Sequence, residues 1–188
     1  MKPTLTILFA LPLLFAAALS TGCASPSSTL VQMYASLHED VSTPHPDNHD
    51  RQMFASRQES RIKKVHALLE QKKVVTPQDH LWAAVILVET DSMADLKTSY
   101  ELALEAARLG EDRGFRVAAE AFDKQLLKQG MLQRYGTQYV WEPVLEAWRL
   151  YPLDPRTTDV ERKAMGVEPL EELKKKEALL NARVTKGS

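Results

Sequence analysis

The chain has 188 residues, one cysteine, and 24 basic against 25 acidic side chains, for a formal charge of −1. That length supports a single domain behind a leader; a domain of about 150 residues buries roughly 68–70% of its unfolded surface. Near neutrality argues against nucleic acid as a partner, which demands a basic face, and a lone thiol excludes intrachain disulfides, so packing must hold the fold.

Met1 and Lys2 precede an apolar run from Leu5 to Leu19, which ends in the small residues Ser20, Thr21 and Gly22 and then Cys23. A charged start, an apolar stretch and a small-residue end are the parts of an export signal. Spanning a bilayer takes roughly 20 apolar residues, so the run is short for a permanent anchor, and Pro12 weakens it further. The Ser-Thr-Gly-Cys end resembles the lipobox of bacterial lipoproteins, with Ser20 standing where leucine is usual. The resemblance implies that residues 1–22 are removed and that Cys23 carries lipid, with Ala24 directing the product to the outer membrane, facing the periplasm, in a Gram-negative cell. Ordinary secretion with cleavage after Ala24 is the alternative. Acylation changes the physics of the molecule: each buried methylene contributes about 0.8 kcal/mol, and two or three chains attach effectively for good.

Residues 23–50 are rich in Ser, Pro, His, Asn and Asp, a composition that reads as a tether with a short helix over about 29–38. His38, His45 and His49, with Asp47 and Asp50, are the one histidine and carboxylate cluster there. A mobile segment must be ordered to hold a metal, so no metal and no cofactor are expected.

Residues 51–183 read as one helical domain, with 184–188 as a tail. A first helix over about 50–72 uses Ile62, Val65, Leu68 and Leu69. Thr76-Pro77-Gln78-Asp79 then supplies a capping hydroxyl, a proline whose missing donor costs nothing and a carboxylate at the positive end of the dipole, opening a helix from Pro77 to about Thr90. Its Leu81, Trp82, Val85, Ile86 and Val88 leave little polar face, which predicts a central, buried position. Ser92 caps the next helix, whose stripe is Leu96, Tyr100, Ala103, Leu104 and Ala107, and Gly110 ends it. A fourth helix over about 112–129 carries Phe115, Ala118, Ala119, Phe122 and Leu126, with Glu111-Asp112 at its start and a solvated Glu120-Lys124 pair opposite the stripe. Loops this short make antiparallel neighbours, helical-repeat-like pairs without a clean repeat period.

After Gly130 the period changes. Tyr135, Thr137, Tyr139 and Trp141 alternate, and residues 144–150 are again apolar, so a short β-hairpin within 133–150 is plausible beside a loop-rich alternative. Thr158-Asp159-Val160-Glu161 has capping-box spacing and Gly166 a stop. Pro169 opens a last helix with Leu170, Leu173 and Leu180 on its apolar side and Glu171-Lys175 and Glu172-Lys176 as pairs. The fold class is therefore mainly α, a compact antiparallel helical domain.

The segment Gln133-Arg134-Tyr135-Gly136-Thr137-Gln138, preceded by Asp123-Lys124 and followed by Pro152-Leu153-Asp154, Thr158 to Arg162 and Val167 to Leu170, is similar to a widespread family of bacterial proteins of unknown function. The resemblance covers about residues 79–181. Members also carry histidines near Trp82 and Glu89, where this chain has none. What the resemblance implies is a fold and a candidate site without imidazole chemistry, and no activity.

Two readings of that site stand side by side. In one, Gly136 lets a backbone approach a ligand while Gln133, Tyr135, Thr137 and Gln138 present donors and acceptors beside Asp123. In the other, Gly136 makes a bend, the polar groups satisfy buried backbone, and Asp123 locks the turn from the margin of its helix's stripe. No nucleophile elbow, phosphate loop or zinc-protease motif is present. The favoured function is a lipid-anchored envelope protein that binds a protein or peptide. The alternative is an envelope hydrolase with Asp123 as acid or base and Tyr135 and Gln138 positioning substrate, which requires Asp123 and Tyr135 to converge on an open pocket.

Overall fold

The computed structural model of the protein describes residues 25–42 and 48–187. The expected signal segment, Cys23, His45 and Asp47 lie outside the described residues. Seven helices are described, in the order α1 (Pro26–Ser42), α2 (Asn48–Glu70), α3 (Pro77–Val88), α4 (Met93–Arg108), α5 (Arg113–Lys128), α6 (Asp159–Ala164) and α7 (Leu170–Gly187), with β1 (Tyr139–Glu142) and β2 (Ala147–Leu150) between α5 and α6. The chain is mainly α, and its helices pack closely on one another. None is long and apolar enough to cross a membrane among the described residues.

Much of this follows from local chemistry. Thr76 caps α3 with its hydroxyl while Asp79 reaches back to the Thr76 amide; Ser92 caps α4, and Thr158 with Glu161 forms the same reciprocal box at α6. α3 is central: it supplies Ala83, Ile86 and Leu87 to one core cluster and Leu81 and Ala84 to a second, and leaves hardly any side open to solvent. Small residues let its neighbours close in. The buried Ser99 hydroxyl of α4 donates to the Ala84 carbonyl at 2.8 Å, and a Cβ on Gly114 of α5 would stand 2.2 Å from the Ala103 carbonyl oxygen.

The tether expectation is corrected over 26–42. α1 buries Leu30, Met33 and Leu37 against α2 and α3, at offsets of 0, 3 and 7 that form one helical face. Those three residues belong to a core that the polar residues around them conceal in the sequence. Arg57 and Arg61 of α2 both reach Asp40 of α1, and Arg61 also bonds the Ser36 hydroxyl at 2.7 Å. The C-terminal carbonyls of α3 are satisfied from its neighbours: buried Gln58 of α2 donates to Ile86 at 2.7 Å and Lys124 of α5 donates to Val88 at 3.0 Å. Lys124 is thus more than half of a solvated surface pair; it lies 3.4 Å from Glu120 and 3.3 Å from Glu89, and burial pushes the Glu120 carboxyl up despite it.

α5 departs from its expected single stripe. Gly114, Val117, Ala118 and Ala121 face α3 and α4, whereas Ala119 and Asp123, about 40° apart on the helix, turn toward the C-terminal part, where Ala119 joins Val167 and Leu173 in a separate cluster. α5 also begins without a side-chain cap from Asp112.

The hairpin is shorter than the alternation suggests. Only residues 139–142 and 147–150 pair, antiparallel with Trp141 opposite Trp148 at 5.8 Å between rings; Val144 and Leu145 occupy the turn. Gln133 makes an isolated parallel bridge to Leu153. α7 covers the outer edge of β2: Asn181 accepts from the Trp148 amide and donates to its carbonyl, and Glu177 accepts from the Leu150 amide at 2.6 Å. Lys174 and Lys175 of α7 pair with Glu171 and Glu172 three residues back, rather than at the expected four-residue spacing. The tail expectation is corrected too, since α7 continues to Gly187.

Candidate functional site

Every residue of the expected site except Cys23 is described, and the fold brings them together around Asp123. Its side chain is completely buried. Oδ1 accepts from the amides of Arg134 and Tyr135 at 2.7 and 2.9 Å; Oδ2 accepts from the amides of Gly136 and Thr137, both at 3.0 Å, and from the Thr137 hydroxyl at 2.9 Å. Four consecutive amides and a hydroxyl therefore wrap one carboxylate, in the manner of a backbone anion nest. An internal anion replaces the external ligand that such a nest can otherwise take.

Gly136 makes the wrap possible. Its φ of +92° lies in the left-handed region, and a Cβ there would come within 2.5 Å of Leu173 Cδ1 and 3.2 Å of Leu153 Cδ2. The glycine thus serves close packing on α7 rather than approach to a ligand. Gln133, also completely buried, spans the loop beside it: its amide nitrogen donates to the carbonyls of Gln138 and Tyr151 at 3.0 and 2.8 Å, and its oxygen accepts from the Gln138 amide at 2.9 Å. Gln138 in turn donates to the Thr137 hydroxyl oxygen at 2.9 Å. Strand pairing is absent over 134–137 because these side chains supply its hydrogen bonds.

Asp123 and Tyr135 do not converge on an open pocket. Tyr135 meets Asp123 through its amide, while its ring is half-buried, 6.1 Å from Phe122 and under the Arg134 guanidinium at 5.6 Å; burial raises its hydroxyl above the ordinary tyrosine value. With both oxygens engaged, Asp123 has no free position from which to exchange a proton with a substrate. The hydrolase expectation needs an acid or base at these residues and finds a loop fastening instead.

An open concavity lies next to the fastening. A cavity of about 430 Å³ is lined by Phe122, Leu126, Met131 and Leu132 on its apolar side and by Arg134, Asp154 and Arg156 at its polar rim. Met131 and Leu132 are each 47% exposed. The rim charges are internally paired: Arg134 bonds Glu161 at 2.8 Å, and Arg156 holds Asp154 with two bonds of 2.8 and 3.0 Å. Arg156 brings the Asp154 carboxyl down to about 2, and the Thr158 amide followed by Arg134 does the same for Glu161. Met131 and Leu132 escaped the sequence reading because two apolar residues after a helix-ending glycine show no periodicity.

His38 and His49 lie in different helices, α1 and α2, and no group of three metal-ligating side chains occurs among the described residues. No family model matches the chain, and neither a curated protein nor a solved structure matches it. The resemblance of the 133–138 segment accordingly brings no activity with it.

Proposed function

We propose that the protein is a lipoprotein of the bacterial envelope, attached through Cys23, whose helical domain binds a protein or peptide segment in the groove formed by Phe122, Leu126, Met131 and Leu132. The observation that carries the binding reading is the pairing of exposed Met131 and Leu132 with an apolar cavity directly beside a loop that Asp123 makes rigid. Methionine beside leucine and phenylalanine offers an adaptable apolar seat, and the paired charges at the rim leave the groove without strong preference for either sign. A segment that inserts one or two apolar side chains fits those features. The engaged state of Asp123 favours this reading over catalysis at the same place.

Crosslinking of intact envelopes through a photoreactive group at Leu132 tests it. The expected result is a discrete adduct that disappears in Met131→Glu, while palmitate labelling persists in both and is abolished by Cys23→Ala. An unchanged adduct pattern in Met131→Glu would remove the groove from the account, and palmitate labelling of Cys23→Ala would remove the anchor.

A further inference from the structure

α1 begins at Pro26, three residues after Cys23, and three residues of chain reach at most about 11 Å. If Cys23 carries acyl chains, as the proposed function holds, the start of α1 is kept at the membrane surface. The contacts decide what lies beside it. Ser27 stands against Asp79 at the start of α3, where burial pushes the Asp79 carboxyl up but the Thr76 amide, the Ser27 and Thr76 hydroxyls and the Val75 amide together hold it below its ordinary value. α1 runs antiparallel to α2, for Asp40 meets Arg57 and Arg61 while Thr29 and Gln32 share a groove of about 300 Å³ with Lys64. The end of α2 and its connection to α3 therefore occupy the same end of the domain as Pro26.

That corner is rich in lysine. Across residues 60–75, Glu70 is the one acidic side chain in the same stretch as Lys63, Lys64, Lys72 and Lys73, while buried Arg61 is paired with Asp40 and His66 with Asp95, and α1 carries no charge from Pro26 to Ser36. The four lysines are exposed, and none makes an ion pair among the described residues. In the neighbouring turn between α4 and α5, Glu105 pairs with Arg108 and Glu111 with Arg113, and exposed Asp112 adds one negative charge. Between Lys73 and the α3 cap stands Val75, 65% exposed.

From this juxtaposition we infer that Lys63, Lys64, Lys72 and Lys73, with Val75 among them, form a docking surface for an anionic phospholipid bilayer, which orients the anchored domain. A lysine near such a surface strengthens attachment about fivefold, and the attraction decays within a Debye length of about 8–10 Å, so the short reach from Cys23 is what makes these side chains effective. Orientation has a consequence at the other end. α5 leads from Gln78 and Glu111, which bond at 2.6 Å near the anchor, along its course from Arg113 to the groove at Leu126, a rise of roughly 20 Å away from the lipid. The groove is thereby presented outward.

The test uses full-length acylated protein in vesicles. Thioether acylation leaves Cys23 without a thiol, so Val75→Cys and, separately, Val144→Cys at the exposed hairpin turn each provide a single labelling position for an environment-sensitive fluorophore. In vesicles rich in phosphatidylglycerol, a lipid-borne quencher is expected to quench the label at position 75 several-fold more than that at 144. The difference should collapse in high salt, in phosphatidylcholine alone, and in Lys63→Glu/Lys64→Glu/Lys73→Glu, whose folding is checked by circular dichroism. Equal quenching at both positions, or quenching indifferent to lipid charge, in protein whose acylation is verified by mass would overturn the docking surface. Thiol labelling of the wild-type chain at Cys23 would instead overturn the anchor on which it rests.

Discussion

The helical stack and the loop that follows it are held by different means. In α3, α4 and α5 the contacts are apolar and spread over many small and medium side chains, with Ala83, Ala84, Ala103, Ala106 and Ala118 all fully buried. Between Gly130 and Thr158 only two short strands pair, and the chain is organised by two buried polar side chains, Asp123 and Gln133. Distributed apolar packing tolerates a local loss, because each contact contributes little. A hub does not, because removing it strands several buried donors at once.

Asp123→Asn is therefore the most damaging change expected. Either orientation of the carboxamide turns an NH₂ toward at least two of the five donors, and the loss should be roughly 3–5 kcal/mol. Urea unfolding followed by the aromatic circular dichroism signal would measure it. Full stability in this variant would break the contrast between hub and stack. Next come the two glycines, which test the regions against each other. Gly114→Ala drives a methyl into the Ala103 carbonyl, a backbone obstacle, and should cost about 3 kcal/mol, whereas Gly136→Ala meets the mobile end of Leu173 and the strain of a positive φ, for about 2 kcal/mol. The two costs are read from the same unfolding curves, and a larger cost at Gly136 would reverse the order. Gln58→Ala removes a donor to the Ile86 carbonyl at the end of α3 and should cost roughly 1–2 kcal/mol, with faster amide exchange confined to that end.

The smallest effect is electrostatic. The Glu161 carboxyl is held at about 2 against an ordinary 4.5 by the Thr158 amide and Arg134. A depressed carboxyl adds stability that is complete above its unfolded value and is lost as pH falls through the folded one, so this contribution fades between about 4.5 and about 2. In Glu161→Gln the melting temperature should fall less steeply across that window than in the wild type. A parallel pH profile would show that the Arg134 contact adds nothing to the loop.

Helix positions were open to sequence reading wherever a start signal was local. Thr76, Ser92 and Thr158 each cap the helix that their spacing announces, because hydroxyl, amide and carboxylate lie within three residues of one another. From sequence α1 is legible only as a short helix in a tether, since its three core residues mean little until α2 and α3 supply the surface they bury against. At the candidate site, the residue types of Gln133 to Gln138 marked an unusual segment, and a structural role for Asp123 was among the alternatives. The five donors on its carboxylate were not visible, because they arise from backbone amides, which every residue carries alike.

Amino-acid order by itself determined the mainly helical class, the caps and the glycine stops, all products of interactions between near neighbours. Only tertiary structure decided that α5 is covered on two sides, that Asp123 is spent on the protein's own backbone, and that Met131 and Leu132 border a groove. Those outcomes depend on which groups are brought close from distant parts of the chain, and burial then sets whether a polar group is a fastening or a site.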